Sequence, residues 1–248
     1  MIDVTYDFTS ELDGYWNGFL EKDPITGTGA IDPDCASPTL KEYHRILWSK
    51  DLPNGQKMKL TSHKAPYYLS WNNHYLGSDT IIVSLRYLRN KQIIEQVNAM
   101  QSDYILYWET LIRKAYTIGG TILFPVHHMS LNQRRGMNKR ISDRWDLTLE
   151  CIRLYYEGKE SPLYKGIVED KAFFDLFVDF KGYTDFFFLQ DMVSDDYSKV
   201  NIWVGNGDFQ EDGLPKTVED YLIFIDKEIE FLEKRNHRIH DYCIANGL

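Results

Sequence analysis

The densest group of residues able to bind an anion lies between Arg134 and Arg144, where five of eleven residues are basic. Guanidinium groups recognise phosphate through two parallel hydrogen bonds. Gly136 allows close approach to the backbone, and the segment precedes a predicted helix whose free N–H groups favour an anion. The candidate anion-binding residues are Arg134, Arg135, Arg140 and Arg144. This pattern predicts an enzyme that binds a phosphorylated small molecule, a nucleotide or RNA.

Side chains able to move a proton accompany this segment. His127 and His128 follow a short apolar strand stopped by Pro125, where a general base is commonly placed. Asp185 lies among seven phenylalanines between residues 173 and 188, so its carboxylate needs a basic partner or a shifted pKa. We expect His127 or His128 to transfer protons, and Asp185 to orient one of the basic groups.

The charge of the chain is sorted along its length, and this supports other hypotheses. The net charge is −7 over residues 1–35, +9 over 36–145 and −11 over 146–248. A basic middle block either meets an anionic partner or is neutralised by the chain's own acids. The alternative is therefore a non-catalytic binding or regulatory protein, whose basic block docks an acidic partner or its own acidic N-terminal loop. In a third hypothesis the blocks only attract each other within the fold.

Metal and cofactor patterns are weaker. Asp146 and Glu150 lie one helical turn apart, as metal ligands do, but acids in a first turn also stabilise the helix dipole without any metal. His237 and His240 have no third ligand close in sequence. The sequence contains no phosphate-binding loop, dinucleotide fingerprint, nucleophile elbow or zinc-protease motif. We therefore predict no metal site, and the residues indicate no particular cofactor.

Composition limits the class of protein. The 248 residues are 43% hydrophobic and 15% aromatic, which favours one folded domain over disorder. No apolar run reaches the roughly eighteen residues of a membrane helix, and a net charge of −9 argues against strong binding to duplex DNA. The first residues lack the apolar core of a secretory signal, and three widely spaced cysteines form no disulfide framework. These features predict a cytoplasmic protein.

The elements that position these residues predict an α+β fold. We expect a single compact domain over 1–248, with a small mixed or antiparallel sheet, six or seven helices and a long C-terminal helix. Residues 1–36 form an acidic, partly irregular segment. Helix starts are predicted at Ser37-Pro38, Asp103, Ser142 and Thr217, from their capping side chains. Strands are predicted at 2–8, 57–60, 67–72, 80–85, 121–124 and 200–204, a loop at 126–141, and a helix at 168–180; 183–193 fits helix or strand.

Several blocks of the sequence resemble an uncharacterised family of bacterial proteins of about this length. The blocks are SPTLKEYHRILWSKDLPNG, YTIGGTILFP, LNQRRG, RISDRWDLTLECIRLYYEGKESPLY and FFDLFVDFKGYTDFFFLQD. They cover most of the chain. The resemblance implies a bacterial, soluble, single-domain protein, and it implies no activity because the family is a domain of unknown function.

Overall fold

A computed structural model describes residues 1–12, 32–62, 68–72, 74–81, 91–127, 130–141 and 144–248. These residues contain the α-helices α1 Pro33–Ala36, α2 Pro38–Leu47, α3 Lys91–Met100, α4 Tyr104–Ala115, α5 Leu131–Met137, α6 Trp145–Tyr156, α7 Tyr164–Glu169, α8 Lys171–Phe174, α9 Phe180–Phe186 and α10 Val218–Asn246. The strands are β1 Thr61–Ser62, β2 Leu69–Trp71, β3 His74–Thr80 and β4 Thr121–Pro125. The predicted α+β class is confirmed, with more and shorter helices than expected.

The four strands form one antiparallel sheet in the order β1-β2-β3-β4. β3 and β4 are registered so that Ser78 lies opposite Leu123 and Asp79 lies opposite Ile122. Every residue of β4 is buried, whereas both residues of the edge strand β1 are exposed. The predicted strand at 121–124 is thus confirmed as a fully buried strand at one end of the sheet's strand order, and Pro125 is its last residue.

Capping side chains set three of the four predicted helix starts, and the fourth predicted cap, Ser142, lies outside the described residues. Thr217 accepts a hydrogen bond of 3.0 Å from the Asp220 N–H and begins α10, which Gly247 ends at a φ of +67°. Ser37 accepts 2.9 Å from the Leu40 N–H, and Asp103 accepts 3.0 Å from the Leu106 N–H. Among the described helices, none combines the length and apolarity needed to cross a bilayer.

The predicted loop at 126–141 is wrong in its centre, where α5 spans Leu131–Met137. The two buried residues of α5 are Leu131 and Arg135, one helical turn apart. Hydrophobic periodicity misses this helix because one of its two inward-facing residues is an arginine. Arg134 and Arg135 therefore lie on a helix with a buried face.

The aromatic region at 168–193 is a series of short helices instead of one long one. α7 and α8 are followed by a 3-10 turn at Asp175–Phe177, α9, and a second 3-10 turn at Gln190–Met192. Val178 ends the first turn at a φ of +69°, which a continuous helix does not allow. The predicted helix at 168–180 is therefore broken, and helix is the correct alternative at the start of 183–193.

Three predicted strands are wrong: 57–60 forms only an isolated bridge between Lys57 and Asp51, and at 2–8 and 200–204 acidic side chains take the backbone donors that a strand would use. At 2–8 the Thr5 N–H donates to Asp3 Oδ1 at 2.9 Å, and a 3-10 turn follows at Phe8–Glu11. At 200–204 the Trp203 N–H donates to Asp146 Oδ2 at 2.8 Å. Of the strand predicted at 80–85, residues 82–85 lie outside the described residues, as do 13–31 of the acidic segment.

Candidate functional site

Arg135, a predicted anion ligand, faces the protein core. Its guanidinium is buried, forms an ion pair with Asp79 and donates to the Thr80 carbonyl at 3.0 Å. The guanidinium carbon also lies 5.8 Å from the centroid of the Trp145 ring. Arg135 thus joins α5 to the end of β3, and a phosphate would have to displace these contacts to reach it.

Arg144 and Asp146 form a second buried ion pair, at the start of α6. The Arg144 Nε lies 3.0 Å from Asp146 Oδ1, and Nη2 donates to Oδ2. The remaining donors reach the carbonyl oxygens of Gly213 and Val204, each at 2.8 Å. The pair fixes the loop at 204–213 to the helix.

The N-terminus of α6 already holds an anion, which is the carboxylate of Asp146. This fully buried carboxylate accepts the Leu147 N–H at 2.9 Å in addition to its bonds from Arg144. The predicted phosphate position before α6 is therefore filled by a side chain of the helix itself. Because its oxygens are occupied, Asp146 is also unsuited to the metal alternative, and the described residues contain no cluster of metal-ligating side chains.

His127 and Arg134 each contact an acidic residue at the end of α7. The His127 Nε2 lies 2.6 Å from Oδ1 of buried Asp170, whose Oδ2 accepts the Leu131 N–H at 3.2 Å. Arg134 donates to Glu169 Oε1 at 2.8 Å. A carboxylate bonded to an imidazole fixes the ring and supports its basicity, as a general base requires. His128 lies outside the described residues.

Arg140 lies with Arg144 and apart from Arg134 and Arg135. It lines an open hollow of about 460 Å³ formed mainly by the loop at 204–216. The bases in the wall are Arg140, Arg144 and Lys216, and the acids are Asp208, Glu211, Asp212 and Asp220. Acids outnumber bases here, so the hollow attracts anions weakly. The four predicted anion ligands therefore do not converge on one described pocket.

Asp185 lies in a different place, an open groove of about 660 Å³ between α9, α10 and the loop after α2. Its carboxylate forms an ion pair with Lys181 and accepts bonds from Tyr197 Oη at 2.6 Å and Gln190 Nε2 at 3.0 Å. Burial alone would raise the pKa of Asp185, but these hydrogen bonds outweigh it and lower the pKa. The partner of Asp185 is thus Lys181, and the expected pairing with an arginine of the basic segment is wrong.

Sequence reasoning missed Lys50, which lines the same groove. Its Nζ is surrounded by four aromatic rings, at centroid distances of 3.8 Å from Phe188, 4.6 Å from Phe186, 4.8 Å from Tyr242 and 5.1 Å from Trp48. Within the described part of the chain, no hydrogen bond or ion pair holds the Lys50 Nζ. Except for Trp48, the rings come from segments that are far from Lys50 in the sequence, so no local pattern could have indicated this environment.

The Lys50 amine is unusually easy to deprotonate. Burial, followed by the charge of Arg235, lowers its pKa to about 7, while Cys243 and Asp185 oppose the shift. An amine with this pKa is substantially uncharged at neutral pH and is a nucleophile or base. The groove therefore combines a reactive amine, a fixed carboxylate and an opening to solvent.

An apparent serine–histidine–aspartate arrangement nearby is structural. Trp48 Nε1 can only donate, and it lies 2.8 Å from His44 Nδ1, so the ring proton of His44 is on Nε2. Nε2 then donates to Ser78 Oγ at 3.0 Å, and Ser78 donates to Asp34. Burial, followed by the charge of Arg235, lowers the pKa of His44 to about 3. His44 cannot accept the Ser78 proton, so Ser78 is not an activated nucleophile.

Comparison with known proteins gives the family of the chain. A family model described as a family of unknown function, DUF6994, matches residues 2–239. No curated protein matches the chain. No solved structure matches it either. Since the family model spans nearly the whole sequence, the chain belongs to this family of unknown function.

Proposed function

We propose that this protein is an enzyme in which the Lys50 amine attacks the carbonyl carbon of a small substrate held in the groove. The observation that carries the proposal is the environment of Nζ. Four aromatic rings surround it, no carboxylate of the described residues pairs with it, and it faces an opening large enough for a small molecule. A lysine that only forms a surface ion pair does not require the removal of water by four aromatic rings.

The step requires only the amine, the substrate and proton transfers. The nitrogen lone pair of Lys50 forms a bond to the carbonyl carbon, and the C=O π electrons move to oxygen. The nitrogen then gives up both of its protons, which pass through water to the oxygen, and the oxygen leaves as a water molecule while a C=N bond replaces the C=O bond. The Asp185 carboxylate lies in the same groove, where its negative charge stabilises the positive charge that develops on the nitrogen during the attack.

The lining of the groove indicates the kind of substrate. Leu52, Pro53 and Phe186 supply apolar surface, and Asp179 and Lys181 supply polar groups at its edge. Such a wall suits an aldehyde or ketone with an apolar part and a few hydroxyl groups. Carboxylates outnumber cationic groups, which disfavours a multiply charged phosphate.

The sequence hypothesis of phosphate, nucleotide or RNA binding has less geometric support. Arg134, Arg135 and Arg144 already contact carboxylates, and Arg140 lies in a largely acidic hollow. The alternative of a basic block neutralised by the chain's own acids has direct support, for example from the Arg113–Asp7 ion pair. A cytosolic bacterial protein, expected from the sequence, is compatible with carbonyl chemistry at Lys50.

Reductive trapping tests the proposal. The full chain is incubated at pH 7 with benzaldehyde and sodium cyanoborohydride, which converts a C=N bond to a stable secondary amine, and labelled peptides are measured by mass spectrometry. With a pKa of about 7, about half of the Lys50 side chains are uncharged, against about one in 2,500 for an ordinary lysine. Lower intrinsic nucleophilicity offsets part of this advantage, so we expect Lys50 to react at least about tenfold faster than other lysines.

Lys181 provides the matched control, because it lines the same groove but its hydrogen bond to Asp185 raises its pKa. Lys50→Arg should abolish the fast label, and Lys181→Arg should leave it unchanged. Equal labelling of Lys50 and Lys181 in the folded protein would contradict the proposal.

A further inference from the structure

Arg235 of α10 is a fully buried cation without a carboxylate partner among the described residues. Its Nε donates to the Phe187 carbonyl at 3.0 Å, and Nη1 donates to the carbonyls of Gly119 at 2.6 Å and Thr121 at 2.7 Å. Its Nη2 has no hydrogen-bond partner in the described part of the chain. Proteins usually pair a buried charge because desolvating it is costly, so this arginine needs an explanation.

The position of Arg235 relates it to the groove. Its Cζ lies 5.8 Å from the centroid of the Trp48 ring, and the Lys50 Nζ lies 5.1 Å from the same centroid, so the two cations are within about 11 Å of each other. The space between and around them is occupied by aromatic rings, which screen charge poorly compared with water. Burial lowers the pKa of Arg235 itself to about 9, so it still carries its charge at pH 7.

We propose that Arg235 is a positioning residue whose buried positive charge holds Lys50 in its uncharged, nucleophilic form. This inference rests on the function proposed above for Lys50. A neutral residue at 235 would leave the aromatic rings around Lys50 to stabilise its ammonium form through cation–π attraction. The arginine opposes that attraction, and so converts an aromatic cage that favours a cation into the site of a reactive amine.

Other charged groups also face Lys50, and most of them act in the opposite direction. Asp185 and Cys243 favour the ammonium form of Lys50. The remaining titratable or charged groups around the groove are Asp51, Asp179, Lys181, Tyr242 and the N-terminal amino group. Lys181 and the N-terminal amino group are also cations, but among the groups with the largest effect on the Lys50 pKa, Arg235 is the one whose charge opposes the ammonium form.

A purely structural role for Arg235 makes a different prediction. In that role the guanidinium only joins α10 to the carbonyls of Gly119, Thr121 and Phe187. Loss of those bonds would lower stability but would leave the titration of Lys50 unchanged. The titration of Lys50, instead of stability or activity, is therefore the deciding measurement.

The experiment measures the pH midpoint of Lys50 labelling by benzaldehyde and cyanoborohydride in folded protein. Arg235→Gln removes the charge, Arg235→Lys keeps it, and Lys234→Gln removes an exposed charge from the next position of α10. At about 11 Å and an effective dielectric constant of about 20, loss of the charge should raise the midpoint by about one pH unit. Labelling at pH 7 should then slow about fivefold in Arg235→Gln, with little change in Arg235→Lys and Lys234→Gln.

An unshifted midpoint in folded Arg235→Gln overturns the role of Arg235 and leaves the proposed function of Lys50 standing. A wild-type midpoint near the ordinary lysine value overturns both. If Arg235→Gln does not fold, wild-type protein still decides the matter. The ¹⁵N chemical shift of Arg235 Nε should then titrate with the same midpoint as Lys50, and a flat profile through that pH overturns the inference.

Discussion

The buried pair of Arg144 and Asp146 allows a sharp test of whether the basic segment binds a ligand or stabilises the fold. Asp146→Asn keeps the size of the side chain and removes its charge. The guanidinium of Arg144, which is 3% exposed, then remains buried without a counter-charge. The amide also supplies one oxygen where the carboxylate supplies two, so part of the hydrogen bonding from Arg144, Leu147 and Trp203 is lost.

The magnitude follows from this environment. Breaking one side of a buried, hydrogen-bonded ion pair typically costs about 3–5 kcal/mol, because an uncompensated charge is left in the interior. We expect Asp146→Asn to lower the free energy of unfolding by an amount in that range. The total stability of a domain is about 5–15 kcal/mol, so the variant should unfold at a much lower urea concentration.

The measurement is urea unfolding at pH 7, followed by tryptophan fluorescence and circular dichroism. Glu150→Gln is the matched control, because Glu150 and Arg153 form the same two-bond arrangement on α6, with both distances 2.8 Å, but closer to the surface. Glu150→Gln should lower the free energy of unfolding by about 1 kcal/mol or less, as the loss of a partly exposed ion pair does. The two substitutions then differ in burial and in the fact that Arg153 keeps a second carboxylate partner, Glu157, at 2.5 Å.

A cost below about 1 kcal/mol for Asp146→Asn, or equal costs for the two variants, would refute this reasoning. The ligand hypothesis makes the opposite prediction for the arginine. If Arg144 serves a phosphate ligand, Arg144→Met should leave stability nearly unchanged and abolish the rise in melting temperature produced by inorganic phosphate.

Two further predictions concern stability. Burial and Arg235 lower the folded-state pKa of His44 to about 3, so below pH 6.5 the unfolded chain binds a proton that the folded chain does not. When the pH falls from 6.5 to 5, the free energy of unfolding of the wild type should decrease by about 2 kcal/mol more than that of His44→Gln. Urea unfolding measures both decreases, and equal decreases would contradict a buried neutral histidine. Thr217→Ala should lower the free energy of unfolding by about 1 kcal/mol because it removes the cap of α10, whereas Thr217→Ser should change it little. Thermal or urea unfolding measures these changes, and equal stability of the wild type and both variants would contradict the capping role.

Local chemistry made several elements predictable from the sequence. Ser37, Asp103 and Thr217 each bond an N–H three residues ahead, and such contacts can be read from adjacent residues. The buried strand after Gly119-Gly120 has a continuous apolar run that ends in proline. Where a side chain from a distant segment intervenes, as Asp146 does at Trp203, the same local rules predicted a strand wrongly.

The charge blocks were also visible in the sequence, but their partners were not. A guanidinium is equally able to bind a phosphate, a distant carboxylate or water, and its spacing does not distinguish them. The structure places Arg134 against Glu169, Arg135 against Asp79 and Arg144 against Asp146. One segment is thus divided among separate contacts, because α5 directs Arg134 and Arg135 to different sides and Arg144 lies outside that helix, at the start of α6.

The sequence by itself determined the fold class, the long C-terminal helix, the family resemblance and the distribution of charge, because each depends on composition or on neighbours within a few positions. Only the tertiary structure brought Lys50, with its neighbour Trp48, to the rings at 186, 188 and 242 and placed Arg235 close to the Trp48 indole. The physical reason is that the reactivity of an amine depends on the water and charge removed from it by segments that meet only when the chain is packed.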